Sequence, residues 1–240
     1  MPFPSSPPNW GADEITKFFD AARSNQYATF VQRPTEVARL NDVDRVYRSA
    51  IHSFNDSKDW FAGLFLLRGH SNFLAACRLC LSTQVPETYA LLRSCLENAM
   101  YGVYLAKHPH LSELWLRRHD GASAKQKVRN EFKVRSMLNF AKELDAKEGE
   151  RAEFLYEQTI DYGAHPNELA VMQTLQIKKT VDQTELQSTY LGGDTVALTA
   201  VLKATKEVGI CSLSLFQMID PDGFHTKGVS ALLSKLKDNF

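Results

Sequence analysis

Residues 59–109 read DWFAGLFLLRGHSNFLAACRLCLSTQVPETYALLRSCLENAMYGVYLAKHP, and this stretch decides the fold. Its first half, 59–84, is the most apolar run of the chain and long enough to raise the question of a membrane span. Arg68, His70, Asn72 and Arg78 interrupt it, and such groups are costly inside a bilayer, so a buried central helix is expected instead. Pro86 and Glu87 suit the first turn of a second helix, Lys107 suits its last turn, and Pro109 stops it. Two long apolar helices so closely joined predict a helical hairpin on which the rest must pack.

Outward from that pair, the pattern predicts helices over 13–24 and about 35–54, with Pro34 at a first-turn position. A short helix over 111–118 carries Trp115. Ser123 suits the cap of a long polar helix over about 124–146, and another helix spans roughly 149–162. Residues 175–193 are β-branched and partly alternating, which predicts an extended excursion or a hairpin. Asp194 is expected to cap a helix running to about 218, "DPDG" at 220–223 to form a turn, and 228–238 to form a last amphipathic helix. No fixed-period repeat is visible. The expectation is an all-α helical bundle with a small extended or β-hairpin insertion near 175–193. A Pro- and Ser-rich flexible N-terminal segment, 1–12, precedes a single helical domain, 13–240.

The chain has 240 residues, 44% of them hydrophobic and 23% charged, the composition of a globular chain with a sizeable core. Lys plus Arg and Asp plus Glu are balanced at 28 each, so no global field draws in nucleic acid or membrane. The start lacks the basic and apolar regions of a secretion signal. Cys77, Cys80, Cys95 and Cys211 lie in apolar, helix-like contexts, which predicts reduced core thiols in a cytoplasmic protein. Cys77 and Cys80 form a CxxC, but it lies inside a helix rather than opening one, and two further ligands for zinc are missing. No metal and no cofactor are expected. There is no phosphate loop, no dinucleotide turn and no nucleophile elbow.

Polar residues inside the apolar helices are the remaining candidates. Arg68, Ser71, Ala75, Arg78 and Ser82 share a stripe, whereas His70 shares its face with Leu74, Cys77 and Leu81 and reads as a satisfied core histidine. Arg93 and Glu97 are four apart in the order that favours a local pair least, so each is expected to look across to another helix, with Glu97 to Arg68 the preferred pairing. Either these charges form a structural ion pair, or Arg68 and Arg93 hold an anion in a pocket between helices. Residues 151–170, RAEFLYEQTIDYGAHPNELA, face a similar choice. Gly163 reads as a left-handed helix terminator and Pro166 pushes His165 out of helical angles, so Asp161 and His165 do not stack; Asn167 can cap a helix from Glu168. That is a stop followed by a start, or a histidine and an asparagine beside a helix N-terminus where an anion fits.

Residues 117–135 are locally basic. Lys125, Arg129 and Lys133 recur every four residues, the stripe that a phosphate backbone takes, although the acidic KELDAKEGE at 142–150 also makes ordinary charge segregation a sufficient explanation.

On SNFLAACRLCLSTQVPETYALLRSCLENAMYGVYLAKHP and YEQTIDYGAHPN, the middle of the chain, about 60–170, resembles a group of uncharacterised bacterial all-helical proteins. In that group an Arg–Glu helix precedes a Tyr-containing helix ending in a His-Pro or His-Pro-Asn turn, and its layout is similar to HEPN domains. The resemblance implies a shared polar set of Arg68, Arg93, Glu97, Tyr156, Asp161, His165 and Asn167. It also implies a helical, usually dimeric protein, often an RNA-cleaving toxin or defence factor. The HEPN catalytic pattern of Arg, four to six residues, then His is met only by Arg45 and His52, outside the resembling segment and with Val46 where a polar residue is usual, so no catalytic role is carried over. Two functions follow as expectations: a non-catalytic module that associates with itself or a partner, or a HEPN-like protein acting on RNA or a nucleotide. In the second, Arg68, Arg93 and the stripe of Lys125, Arg129 and Lys133 hold phosphate and His165 is the candidate acid or base.

Overall fold

The computed structural model describes residues 6–54, 60–166, 168–172, 174–179 and 184–238. The predicted pair is there as α3, Trp60–Leu81, and α4, Val85–Lys107, with Pro86 in the first turn of α4. Between them Thr83 takes φ +63°, unusual for a β-branched residue. Its amide reaches the Cys80 carbonyl at 2.9 Å, and its hydroxyl bonds the carbonyl of Gly192 and accepts from Asn25. The turn is therefore held by two distant parts of the chain as well as by its own backbone.

On this hairpin lies α10, Val196–Gln217, of which fourteen residues are buried. The close approach of α10 to α3 and α4 depends on missing side chains. The fully buried Phe216 ring lies against Gly69 and Gly102, where an added Cβ on Gly102 would stand 2.9 Å from the ring. At the crossing with α2, Pro34–Phe54, a Cβ on Gly209 would meet Phe73 and Val43 at 2.7 Å. Tyr47 of α2 stacks on His70 of α3, whose Nε2 lies 2.6 Å from Asp44 Oδ1, so His70 is the satisfied core histidine its face predicted. All four cysteines are free thiols; burial pushes those of Cys80 and Cys211 up to about 12, which suits inert packing groups.

Asp44 also accepts from Arg48 Nε at 2.8 Å. Burial raises its pKa, but the hydrogen bonds from Arg48 and His70 outweigh burial and hold the carboxyl below its ordinary value. A depressed carboxyl stabilises the fold at pH values above the unfolded value of about 3.9, and that contribution disappears as pH falls through the lower folded value. Urea midpoints taken from about pH 6 to 3 are expected to fall more steeply for the native chain than for Asp44→Asn; equal slopes would remove Asp44 as a source of acid sensitivity.

The outer elements correct several expectations. The first helix, α1, Glu14–Gln32, runs past 24 because Asn25, Gln26 and Thr29 bond Thr83, Ser82 and the Leu81 carbonyl at the end of α3. The flexible segment expected at 1–12 lies outside the described residues for 1–5, while Trp10 Nε1 donates to Asp20 of α1 at 3.0 Å. After α5, Leu111–Leu116, the long helix expected over 124–146 is two: α6, Ala122–Glu131, and α7, Val134–Leu144. The break lets Phe132 bury itself by stacking on Tyr101 at 5.4 Å. Ser123 is inside α6 rather than capping it. Asp145 ends α7 and caps α8, Ala146–Thr159, accepting from Glu148 N.

Beyond α8, Ile160–Ala164 forms a π-turn, followed by α9, Glu168–Met172. The insertion is an antiparallel hairpin, β1 Leu175–Lys179 with β2 Thr184–Ser188, registered Leu175 to Ser188. Thr195, not Asp194, caps α10; Asp194 pairs with Arg33 instead. "DPDG" opens a helix, α11, Pro221–Thr226, with Asp220 as its cap, and α12, Val229–Asp238, closes the bundle. Its Lys237 meets the buried Glu148 at 2.8 Å. Among the described residues no helix is long and apolar enough to cross a membrane.

Candidate functional site

The π-turn is the place where the two halves of the expected polar set meet. It rests on the start of α4 because residue 163 has no side chain: a Cβ there would stand 2.2 Å from the Pro86 carbonyl oxygen. The φ of Gly163 is 166°, near extended, so the glycine is required by space and not by the left-handed geometry its sequence context suggests. Tyr162 lies beside Tyr89 with ring centroids 5.4 Å apart. His165 follows in extended conformation, φ −130° and ψ 146°, as the adjacent proline dictates.

Arg93 projects from α4 toward this turn. Its Nε donates to Glu97 Oε1 at 2.9 Å and its Nη1 to His165 Nε2 at 3.1 Å. Its guanidinium carbon lies 5.1 Å from the centre of the Tyr156 ring, a cation–π distance. The Tyr156 hydroxyl donates to the same Glu97 oxygen at 3.1 Å. Arg93, Glu97, Tyr156 and His165 thus form one connected group linking α4, α8 and the turn. The Arg93–Glu97 pair is local, although its order is the less favourable one, because Tyr156 and His165 hold the guanidinium in place. Burial and the neighbouring Glu97 carboxylate push the Tyr156 phenol up to about 12. Burial lowers the Arg93 pKa, but its contacts with Glu97 outweigh this and leave the guanidinium firmly charged. His165 accepts through Nε2, so the proton of the neutral ring sits on Nδ1.

Two of the other three members of the expected set stand apart. Arg68 is exposed on α3 and makes no ion pair with Glu97, so the preferred cross-helix pairing is replaced by the local one. Asp161 is exposed, and no hydrogen bond or ion pair joins it to the other four. Asn167, with its expected cap, lies outside the described residues. Arg45 and His52 are exposed on α2, with Arg45 paired to Asp42. The basic stripe is interrupted: Lys125 and Arg129 are on α6, whereas Lys133 follows the break, in extended conformation before α7. All three are exposed.

A second candidate was missed by the sequence reading. Trp60, Leu64, Leu67 and Leu74 of α3 are 66%, 51%, 50% and 41% exposed, while Phe65, Leu66, Phe73 and Ala76 of the same helix are buried. On α1, Ile15, Phe19, Tyr27, Phe30 and Val31 are also exposed, and only Ala22 and Thr29 are buried. Single exposed leucines are normal, but rows of them along two contacting helices make this surface a candidate binding site. The spacing of 60, 64, 67 and 74 was available in the sequence. It was hidden because α3 is apolar all round, so its inner and outer rows look alike.

Comparison with known proteins returns no family model, no curated protein and no solved structure that matches the chain.

Proposed function

We propose that this chain is a non-catalytic helical module that works by binding a partner through the exposed apolar rows of α1 and α3. The observation that carries this reading is the exposure of Trp60, Leu64, Leu67 and Leu74 on a helix whose opposite side builds the core. The polar group at the π-turn supports it from the other direction. Arg93 is neutralised by Glu97, the Tyr156 phenol stays protonated across the physiological range, and the free lone pair of His165 is taken by Arg93. Those contacts suit a clasp that pins 160–165 to α4, and an anion would compete there with a carboxylate already in place.

The experiment is a titration with labelled single-stranded RNA between about 50 and 200 mM salt. The expected result is no saturable, salt-sensitive binding and no cleavage. Tight binding that weakens steeply with salt, and that falls when Lys125, Arg129 and Lys133 are replaced by alanine, would displace this reading in favour of a nucleic-acid-binding protein.

A further inference from the structure

We infer that the partner is a second copy of this chain, docked α3 against α3 in antiparallel orientation about a two-fold axis, with α1 completing the interface. The inference rests on the proposed binding role and names its occupant. Trp60, Leu64, Leu67, Ser71, Leu74 and Arg78 follow one another at steps of four, three, four, three and four, and all six are exposed. That is the spacing of a helix–helix seam, and over eighteen residues it drifts only about 50° around the helix, so the six form one continuous stripe. The row buried in the monomer, with Phe65, Leu66, Phe73, Ala76 and Cys80, already has α4 and α10 as partners. The outer row is therefore a second stripe on the same helix, with the spacing that a second helix fits.

The row is complementary to its own reverse. Turned about a point level with Gly69, Leu64 of one copy meets Leu74 of the other, Leu67 meets Ser71, and Trp60 meets Arg78. Charge selects this orientation. There is no carboxylate between Trp60 and Leu81. A parallel pair would bring Arg78 against Arg78 within the seam, whereas the antiparallel pair lays each Arg78 guanidinium on the indole of Trp60 from the other copy. The helix dipoles also oppose one another only in that orientation. Arg68 lies beside the seam and keeps its solvent in both.

Area brings in α1. The four apolar side chains of the α3 row offer roughly 400 Å² to a partner, about half of the ~800 Å² that each side of a standard interface buries. The remainder falls to Ile15, Phe19, Tyr27, Phe30 and Val31, on the helix anchored to the end of α3 through Thr29 and Gln26.

Sedimentation velocity of the full chain from about 1 to 100 µM tests this. The expected species is a dimer, weakened at least tenfold in Leu64→Glu/Leu67→Glu, whose substitutions lie on the surface and leave the helical circular-dichroism spectrum unchanged. Trp60→Lys and Arg78→Glu should each weaken it, and the two together should restore it, since residues 60 and 78 are about 27 Å apart within one helix and can meet only across an antiparallel pair. A wild-type monomer throughout that range would overturn the second copy as occupant while leaving the binding role to a different partner. A dimer indifferent to Leu64→Glu/Leu67→Glu would overturn the α3 seam. A double variant weaker than either single would overturn the antiparallel orientation. Salt-sensitive RNA binding by a dimeric chain would instead displace the non-catalytic reading and leave the seam standing.

Discussion

Phe216→Ala is expected to cost about 3–5 kcal/mol, the range for deleting a fully buried phenylalanine, and to move the urea midpoint accordingly. The ring is wholly buried at the junction of α3, α4 and α10, with Gly69 and Gly102 forming the notch that receives it. Because both neighbours lack side chains, little can collapse into the space left behind. The same notch makes the reciprocal change harmful: Gly102→Ala would set a methyl 2.9 Å from the ring and 3.2 Å from Phe65 Cβ, for a loss of about 1–3 kcal/mol by overpacking. Combined with Phe216→Ala, that methyl enters the vacated volume, so the double variant should be more stable than Phe216→Ala alone. Independent, additive losses would show that the two sites do not share one notch.

Gly163→Ala is the second large effect. The added carbon would meet the Pro86 carbonyl oxygen at 2.2 Å and its Cα at 2.6 Å, and both are backbone atoms of a helix start that cannot rotate aside. The π-turn must then lift from α4, and with it goes the Arg93–His165 contact. A loss of about 3 kcal/mol is expected, together with faster amide exchange confined to 160–166 and the first turn of α4. Arg93→Ala should accelerate exchange at the turn as well, since it removes the cation that joins α4 to His165 and Tyr156. Native-like exchange at 160–166 in Gly163→Ala would mean that the turn is not held against Pro86.

These two sites also show what the sequence could reveal. The α3–α4 hairpin was legible because its punctuation is local: Pro86 begins one helix and Pro109 follows its end. Arg93, Glu97, Tyr156 and His165 were all in the expected polar set, yet their pairing was not legible. Whether Glu97 met Arg68 or Arg93 depended on which side of α3 faced α4, and a helix apolar on every side does not announce that. The break at Phe132 was illegible for a related reason. Residues 124–146 contain no glycine or proline to announce a stop, and at the interruption one aromatic ring packs on Tyr101 and Tyr104. Likewise Asn25, Gln26 and Thr29 resemble the end of a helix until the carbonyls at the end of α3 are known to receive them.

The late place of α10 in the chain has a consequence for synthesis. On the ribosome α2, α3 and α4 are complete about 90 residues before α10 begins to emerge, an interval of roughly 5–20 s at ~5–20 residues per second. Throughout that time Gly69, Gly102 and Phe73, which α10 covers with Phe216 and Gly209, have no lid, and α1 and α3 offer their outer rows as well. A nascent chain in that state is sticky on two sides at once, so its yield in a cell is expected to rise with holdase chaperones present during translation more than the stability of the finished bundle would suggest.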